Sequence, residues 1–163
     1  MEIRTLHLND ALSIRKLRLE ALLDSPEAFG SSYEEEREYP LKKFKDRLES
    51  GCTLGAFLHE ELVGMITVIQ ETRNKTKHKA NIFGMYVSPV QRGQGIGKNL
   101  MIEAIKQAKT LKGIEQIHLT VVTSNDAAKH LYLSLGFEIY GREKHALKIG
   151  DSYLDEEHMY LFL

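Results

Sequence analysis

The sequence predicts a mixed α/β domain, with a mostly antiparallel sheet of six to seven strands and about four flanking helices. Two observations lead to this fold class. Short runs rich in β-branched and aromatic residues, typical of strands, occur in the first half of the chain and again at its end. The segment 80–135 reads as strand, helix, strand, helix, and such a crossover requires a parallel pair of strands. We therefore expect one parallel pair within an otherwise antiparallel sheet.

Length and composition predict a single domain over residues 1–163. A chain of 163 residues can bury one sizeable core, and its 42% hydrophobic and 28% charged residues are typical of globular proteins. No stretch approaches the ~20 apolar residues of a membrane span, and the start of the chain has no apolar run of signal-peptide length. We expect a cytoplasmic protein without a membrane partner, and both a monomer and a homodimer are open.

Charge and cysteine content argue against two other classes. The formal net charge is -1, and acidic and basic residues are mixed along most of the chain, whereas nucleic-acid binders usually show a basic face. Cys52 is the only cysteine, which rules out an internal disulfide and a cysteine-rich metal site. Neither a nucleic-acid partner nor a metal is expected.

Before the glycine-rich loop at its centre, the chain is expected to form two helices and four strands. Asn9 or Asp10 can cap the first helix, and residues 29–40 have no strong period and read as a loop or a short irregular helix. The expected elements are a strand at 1–5, a helix from the cap to 24–26, a helix at about 41–48, and strands at 53–59, 62–71 and 80–87, with a hairpin turn at 60–61.

After the loop, the pattern predicts two more helices and a closing hairpin. The first of these helices has an apolar stripe that includes Leu100, Ala104 and Ala108, and Gly113 ends it. Ser124 or Asn125 can cap the second helix. The remaining expected elements are a strand at 116–122 and an antiparallel hairpin of strands 137–145 and 152–163 around Gly150-Asp151.

The loop between the strand 80–87 and the following helix has the composition of a phosphate site. Glycines at a strand-to-helix junction let several N–H groups converge on one anion, with the positive end of the helix dipole behind them. The spacing excludes G-x-G-x-x-G: if Gly93 and Gly95 are its first two glycines, the third glycine should stand at the sixth position of the motif, which is Lys98. It also excludes the Walker loop, since Asn99 follows that lysine. The pattern that fits is R-x-x-G-x-G, from Arg92.

Two motifs, in this order, resemble those of the GCN5-related N-acetyltransferases, the GNAT family. The first is the strand, loop and helix over 85–101, with Arg92, Gly95 and Gly97. The second is N-x-x-A-x-x-x-Y-x-x-x-G-F, which begins at Asn125 and carries Tyr132. Together they cover about the middle third of the chain. The resemblance implies the GNAT fold, whose central parallel strand pair splays apart, and acetyl-CoA as co-substrate.

The resemblance also implies where acetyl-CoA binds. The loop would hold its pyrophosphate through backbone N–H groups, and the edge of the preceding strand would pair with its pantetheine arm, with the N–H of Met85 or Tyr86 aimed at the thioester oxygen. Asn125 would line the arm or only cap its helix. The residues assigned to acetyl-CoA binding are Met85, Tyr86, Val87, Arg92, Gly93, Gln94, Gly95, Ile96, Gly97, Lys98 and Asn125.

Tyr132 is the expected catalytic residue. When an amine attacks the thioester, the leaving thiolate needs a proton, and a phenol with a pKa near ~10 can supply a proton or a hydrogen bond to it. The alternative is that Tyr132 only packs beside Leu131 and Leu135 on the inner face of its helix. The general base is not found at the family's usual place, because 80–90 contains no carboxylate. Glu71, His118 or ordered water could take that role.

The acceptor is expected to be a cationic primary amine held between two acidic runs, 34–36 and 155–157. Acid on both walls would attract a positive amine, and aromatic side chains could add surface against it. The residues assigned to acceptor binding are Phe29, Tyr33, Glu34, Glu35, Asp155 and Glu156.

These inferences predict an N-acetyltransferase that moves an acetyl group from acetyl-CoA to a primary amine of a small molecule, polyamine or peptide, by direct attack in a ternary complex. The rival function is a sensor or interaction module of the same fold, which would bind acyl-CoA without turnover. Tyr132 together with an intact glycine loop favours the enzyme.

Overall fold

A computed structural model describes all residues, 1–163, and shows seven strands and five α-helices. The strands are β1 (Glu2–Thr5), β2 (Cys52–Leu58), β3 (Glu61–Gln70), β4 (Lys79–Val87), β5 (Gln116–Val122), β6 (Glu138–Ile149) and β7 (Ser152–Phe162). The helices are α1 (Ala11–Asp24), α2 (Tyr33–Glu36), α3 (Leu41–Ser50), α4 (Ile96–Thr110) and α5 (Asp126–Ser134).

All seven strands form one sheet in the order β1-β2-β3-β4-β5-β7-β6. Every neighbouring pair is antiparallel except β4 and β5. The parallel register joins Lys79–Asn81 only to Gln116–His118, near the start of both strands, so the two strands separate beyond that point. The predicted fold class, a mostly antiparallel sheet with one central splayed parallel pair, is confirmed.

The β2-β3 hairpin turns one residue earlier than the sequence suggests. His59 and Glu60 occupy the turn, with φ angles of 46° and 68°, and Glu61 already belongs to β3. Two consecutive positive φ angles are those of a type I′ turn, whose twist matches that of the flanking strands even without glycine. The irregular stretch 29–40 contains the single-turn helix α2, as the sequence allowed.

The sheet buries apolar side chains on both faces. Neighbouring residues alternate between two core clusters, so that Met65 and Tyr86 belong to one while Ile66 and Val87 belong to the other. Helices α4 and α5 cover the face of the larger cluster, and α1 and α3 cover the opposite face. The smaller cluster contains no residue of β5, β6 or β7, so α1 and α3 pack on the β1–β4 half of their face.

The N-terminal helix ends close to the centre of the sheet. Ile14, Leu17 and Ala21 pack its apolar face into the smaller cluster. Pro26 follows its last residue, Asp24, within two positions, and a proline there disfavours continuation of the helix. The chain then crosses the C-terminal half of β4, which places the segment after α1 over the gap between β4 and β5.

Candidate active site

The glycine-rich loop joins the end of β4 to the start of α4. Gly95 is the N-cap of α4 and has a φ of 76°, and Gly93 has a φ of 79°, both in the left-handed region that glycine adopts without strain. None of the N–H groups from 93 to 98 donates a hydrogen bond to a backbone carbonyl. These consecutive free donors lie at the positive end of a helix dipole, so the loop fits a pyrophosphate group.

Gly97 is required for a different reason. A Cβ atom at this position would lie 2.8 Å from Cε of Met85 and 3.8 Å from Cδ2 of Leu131, whereas a Cβ at Gly95 would meet nothing within 4 Å. The first turn of α4 therefore packs against the side chain that projects from β4. The two glycines act separately, since Gly95 shapes the loop and Gly97 lets the helix approach the strand.

Arg92 braces the loop. Its Nε donates to the backbone oxygen of Val87 at 3.0 Å, and its Nη2 makes an ion pair with Asp24 at the end of α1. Burial alone would raise the pKa of the Asp24 carboxyl, but the hydrogen bond from Arg92 holds that pKa below its ordinary value. The arginine side chain thus ties the loop to α1, and the loop's free donors are backbone groups.

A bulge in β4 lies beside the gap between the parallel strands. Gly84 has a φ of 61°, and the register between β3 and β4 shifts between Met65 and Thr67, opposite this glycine. Beyond the bulge, β4 remains paired to β3 but has no partner on the β5 side. An extended ligand can therefore pair with this open edge as a short additional strand.

The direction of the backbone groups at this edge follows from the ladder. The N–H of Ser88 donates to the oxygen of Val63 at 2.9 Å, so Ser88 faces β3. Because successive residues of a regular strand alternate, the N–H of Tyr86 also points to β3, whereas that of Val87 points into the gap. The N–H of Tyr86 is therefore not available to a ligand in the gap, and Met85 lies in the bulge beside it. Of the two amides that the sequence left open, the geometry favours that of Met85.

Two cavities meet at the gap. The loop cavity, of about 680 Å³, lies between the glycine-rich loop, β4 and α5. The sheet cavity, of about 450 Å³, lies between β4, β5, α1 and β7. Both are lined by Ala28, Phe29, Met85, Asn125 and Tyr132. A ligand in the loop cavity and one in the sheet cavity would therefore meet beside the Met85 amide and Tyr132.

Tyr132 projects from α5 to the junction of the two cavities. Its side chain is largely buried, at 8% exposure, and its ring centre lies 6.1 Å from that of Phe137. Burial alone raises the pKa of the Tyr132 hydroxyl to about 12. The phenol therefore stays protonated at neutral pH and can donate. Asn125 caps the same helix, with its Oδ1 accepting from the N–H of Ala128 at 3.1 Å, and also lines both cavities.

The two side chains considered as general base lie outside the lining of both cavities. The Glu71 carboxylate accepts a hydrogen bond from Asn81 at 2.7 Å. His118 contacts Gln116 at 2.7 Å and packs against the ring of Tyr140, and burial lowers the pKa of its imidazole. Each side chain is therefore engaged by a protein neighbour, and neither lines a cavity.

Glu156 is the carboxylate that the structure does place in the sheet cavity, which it lines together with Tyr132. It lies on β7 opposite Val122, at the end of β5. Burial, with a smaller contribution from the charge of Glu143, raises the pKa of the Glu156 carboxyl. The sequence assigned this residue only to attracting the acceptor, because nothing local distinguishes it from Asp155 and Glu157, its neighbours on the strand.

The two acidic runs do not form facing walls. Of the acceptor residues expected from the sequence, only Phe29 and Glu156 line the cavities, while Tyr33, Glu34, Glu35 and Asp155 do not. Their charges serve other partners: Glu35 forms a capping box with Ser32, Glu36 is buried against two arginines, Asp155 pairs with Arg142, and Glu157 pairs with Lys129.

Of the cofactor residues expected from the sequence, most lie at the loop cavity. Met85, Tyr86, Val87, Arg92, Gly93, Gly95, Ile96, Gly97 and Asn125 line it. Gln94 and Lys98 do not, and their side chains are exposed. The structure contains no group of three or more His, Cys, Asp or Glu side chains that could hold a metal ion. None of its helices has both the length and the apolarity to cross a membrane.

Comparison with known proteins supports the resemblance seen in the motifs. The model of the acetyltransferase (GNAT) family matches residues 17–137. An L-amino acid N-acetyltransferase of Escherichia coli strain K12 is 33% identical over 107 residues, which make up 65% of this chain and 65% of that protein. The match therefore spans just under two-thirds of that relative's length. Because the family model covers most of the chain, this protein belongs to the GNAT family of acetyltransferases.

Solved structures share the fold over the whole chain. An acetyltransferase of the GNAT family from Streptococcus pneumoniae superposes with a TM-score of 0.91, at 23% identity over 99% of both chains. A GNAT superfamily phosphinothricin acetyltransferase from Sinorhizobium meliloti, in complex with acetyl-CoA, has a TM-score of 0.84 at 22% identity, over 99% of this chain and 88% of the other. At these identities the likeness concerns the fold.

Proposed function

We propose that this protein transfers an acetyl group from acetyl-CoA to a primary amine, by direct attack within a ternary complex. The observation that carries the proposal is the junction beside Tyr132, where the loop cavity and the sheet cavity meet. A transferase needs such a meeting point, because both substrates must be held together for the amine to reach the thioester. A pyrophosphate-binding loop alone would suit many nucleotide-binding proteins.

The loop cavity suits the acetyl-CoA side of the reaction. The N–H groups from 93 to 98 would hold the pyrophosphate, and the open edge of β4 would pair with the amides of the pantetheine arm. Acetyl-CoA would supply an acetyl thioester, which an unprotonated amine can attack. The Met85 N–H, in the bulge beside the gap, would be the backbone donor for the negative charge that develops on the acyl oxygen.

Two side chains at the sheet cavity would move the protons. The Tyr132 hydroxyl holds a proton at neutral pH, and it would donate that proton or a hydrogen bond to the departing thiolate. Glu156 would accept the proton that the attacking amine loses. Its raised pKa makes it a stronger base than an ordinary glutamate, and it lines the cavity in which the amine would lie. Water remains an alternative proton acceptor.

Acyl-CoA titration combined with thiol release tests this function against the rival sensor. Isothermal titration of the purified protein with acetyl-CoA measures binding, and a free-thiol assay over a panel of primary amines measures turnover. The proposal predicts saturable binding and amine-dependent thiol release well above the rate of hydrolysis. A protein that binds acetyl-CoA but releases no thiol with any amine is a sensor, and one that does not bind it has neither function.

A further inference from the structure

The charged side chains of the sheet cavity carry opposite signs. Of all residues that line this cavity, only Arg18 and Glu156 are charged. Arg18 comes from α1 and Glu156 from β7, so the two charges belong to different walls. A site built for a simple cationic amine would have no use for a guanidinium in its lining, because the two positive charges would repel each other.

Arg18 shares its only carboxylate partner, Glu36, with a second arginine. Arg18 and Arg47 both bind one carboxylate, that of the fully buried Glu36, with N–O distances of 2.9 Å and 2.8 Å. Burial alone would raise the pKa of Glu36, but the hydrogen bonds from both arginines outweigh it and lower the pKa to about 2. One carboxylate charge therefore faces two guanidinium charges, and the cluster keeps an excess positive charge.

Arg18 is also held in a fixed orientation. Its Nε and Nη2 donate to the two oxygens of Glu36 at 3.1 Å and 2.9 Å, and its guanidinium lies 4.6 Å from the ring centre of Phe29. These bonds leave Nη1 without a protein acceptor, and 15% of the Arg18 side chain is exposed. A guanidinium that is positioned in advance and has a free donor binds a carboxylate at a low cost in conformational entropy.

We propose, on the basis of the acetyl-transfer function above, that the acceptor is an amine that also carries a carboxylate, as free α-amino acids do. Arg18 binds the acceptor's carboxylate, while its amino group lies toward Glu156 and Tyr132. The two opposite charges of such a zwitterion match those of the cavity walls. The site differs in this respect from the doubly acidic cleft that the sequence suggested for a purely cationic acceptor.

The proposal can be tested on the unmodified protein with three acceptors that share the leucine side chain: L-leucine, L-leucinamide and 3-methylbutylamine. Only L-leucine has the carboxylate. Its amino group is more basic than that of the amide and less basic than that of the alkylamine, so basicity cannot favour it over both. We expect kcat/KM for L-leucine to exceed that of each analogue by about 10-fold or more, as for a lost charged hydrogen bond.

The possible results separate this proposal from the one it rests on. Equal or faster acetylation of the amide or the alkylamine would overturn the carboxylate requirement and leave the acetyltransferase function intact. The same triplet built on L-phenylalanine and on L-lysine shows whether the preference holds for other side chains. If no member of any triplet is acetylated although acetyl-CoA binds, the amino acid proposal is overturned, and a wider amine panel decides the function itself.

A pair of arginine variants assigns the role to Arg18. Arg18→Gln and Arg47→Gln each remove one of the two partners of Glu36, but only Arg18 lines the sheet cavity. We expect Arg18→Gln to raise the KM for L-leucine by about 10-fold or more and to change the KM for 3-methylbutylamine by less than about threefold. Arg47→Gln should leave the ratio of these two KM values unchanged. Equal changes in both variants would mean that Arg18 acts only through folding. Arg18→Lys, which keeps the charge, replaces Arg18→Gln if the latter does not fold.

Discussion

The loop cavity and the sheet cavity lie side by side but are built in opposite ways. The loop offers backbone N–H groups from one continuous stretch, 93–98, and needs glycine because any side chain would alter its shape. The sheet cavity offers side chains, among them Arg18 and Glu156, which come from opposite ends of the chain. The first region is therefore sensitive to added atoms, and the second is sensitive to the loss of functional atoms.

The largest expected effect is that of Gly95→Val. Valine strongly disfavours the φ of 76° at the N-cap of α4, so the donors before the helix would turn away from the phosphates. We expect acetyl-CoA affinity, measured by titration, to fall by about 1,000-fold or more, roughly 4 kcal/mol. Gly113→Val is the matched control, because Gly113 has a φ of 75° and open space around it but lies at the far end of α4. If both variants bind acetyl-CoA normally, the loop is not a backbone site.

Tyr132→Phe removes one oxygen atom from the junction. The phenyl ring keeps the contact with Phe137, so folding and acetyl-CoA affinity should change little. We expect kcat to fall by about 10- to 1,000-fold, at or slightly below the usual effect of a general acid. Steady-state kinetics and titration on the same preparation measure both quantities. An unchanged kcat would make the tyrosine a packing residue, and a collapse of affinity would make it part of the acetyl-CoA site.

Glu156→Gln keeps the size of the side chain and removes the proton acceptor. We expect kcat/KM to fall by about 10- to 100-fold at neutral pH, near the lower range for acid–base catalysis. Glu157→Gln is the matched control, since Glu157 is the next residue on β7 but pairs with Lys129 and does not line the sheet cavity. Equal losses in both variants would show that the strand, rather than the cavity, is being disturbed.

The pH profile sharpens the same prediction. Because burial and Glu143 raise the pKa of Glu156, this carboxylate takes up a proton at a higher pH than an ordinary glutamate, and activity should fall as the pH drops through that pKa. Glu143→Gln removes the repelling charge and should lower the pKa, which moves the acidic limb of the rate profile to lower pH. A shift in the opposite direction would exclude Glu156 as the base.

The smallest effect is expected for Arg92→Ala. Arg92 contacts the Val87 oxygen and Asp24, so its loss loosens the loop without removing a backbone donor. We expect acetyl-CoA affinity to fall by less than about tenfold, the scale of one hydrogen bond to a charged group. Asp24→Asn should weaken binding by a similar amount if the arginine acts as a brace. A much larger loss for Arg92→Ala than for Asp24→Asn would instead indicate direct contact with phosphate.

The sequence by itself determined the sheet, its parallel pair and the glycine-rich loop. These features depend on neighbours within a few positions. Period-two runs form strands, and a strand-helix-strand unit requires a parallel pair whatever the rest of the chain does. Glycines between a strand and a helix predict an anion site for the same local reason. The seven-residue spacing from Asn125 to Tyr132 places the tyrosine about two helical turns after the cap, on the same side of the helix.

The tertiary structure alone decided which charged groups are available. The sequence shows Glu34, Glu35 and Glu36 as equal members of one acidic run, yet Glu36 is buried between two arginines from α1 and α3. Whether a carboxylate attracts a substrate depends on which side chains from other parts of the sequence already neutralise it. Those partners cannot be identified from the local sequence around the carboxylate. The same limit applies to Glu156, since only the packing of β7 against β5, beside α1, places its carboxylate in a cavity that it shares with Arg18.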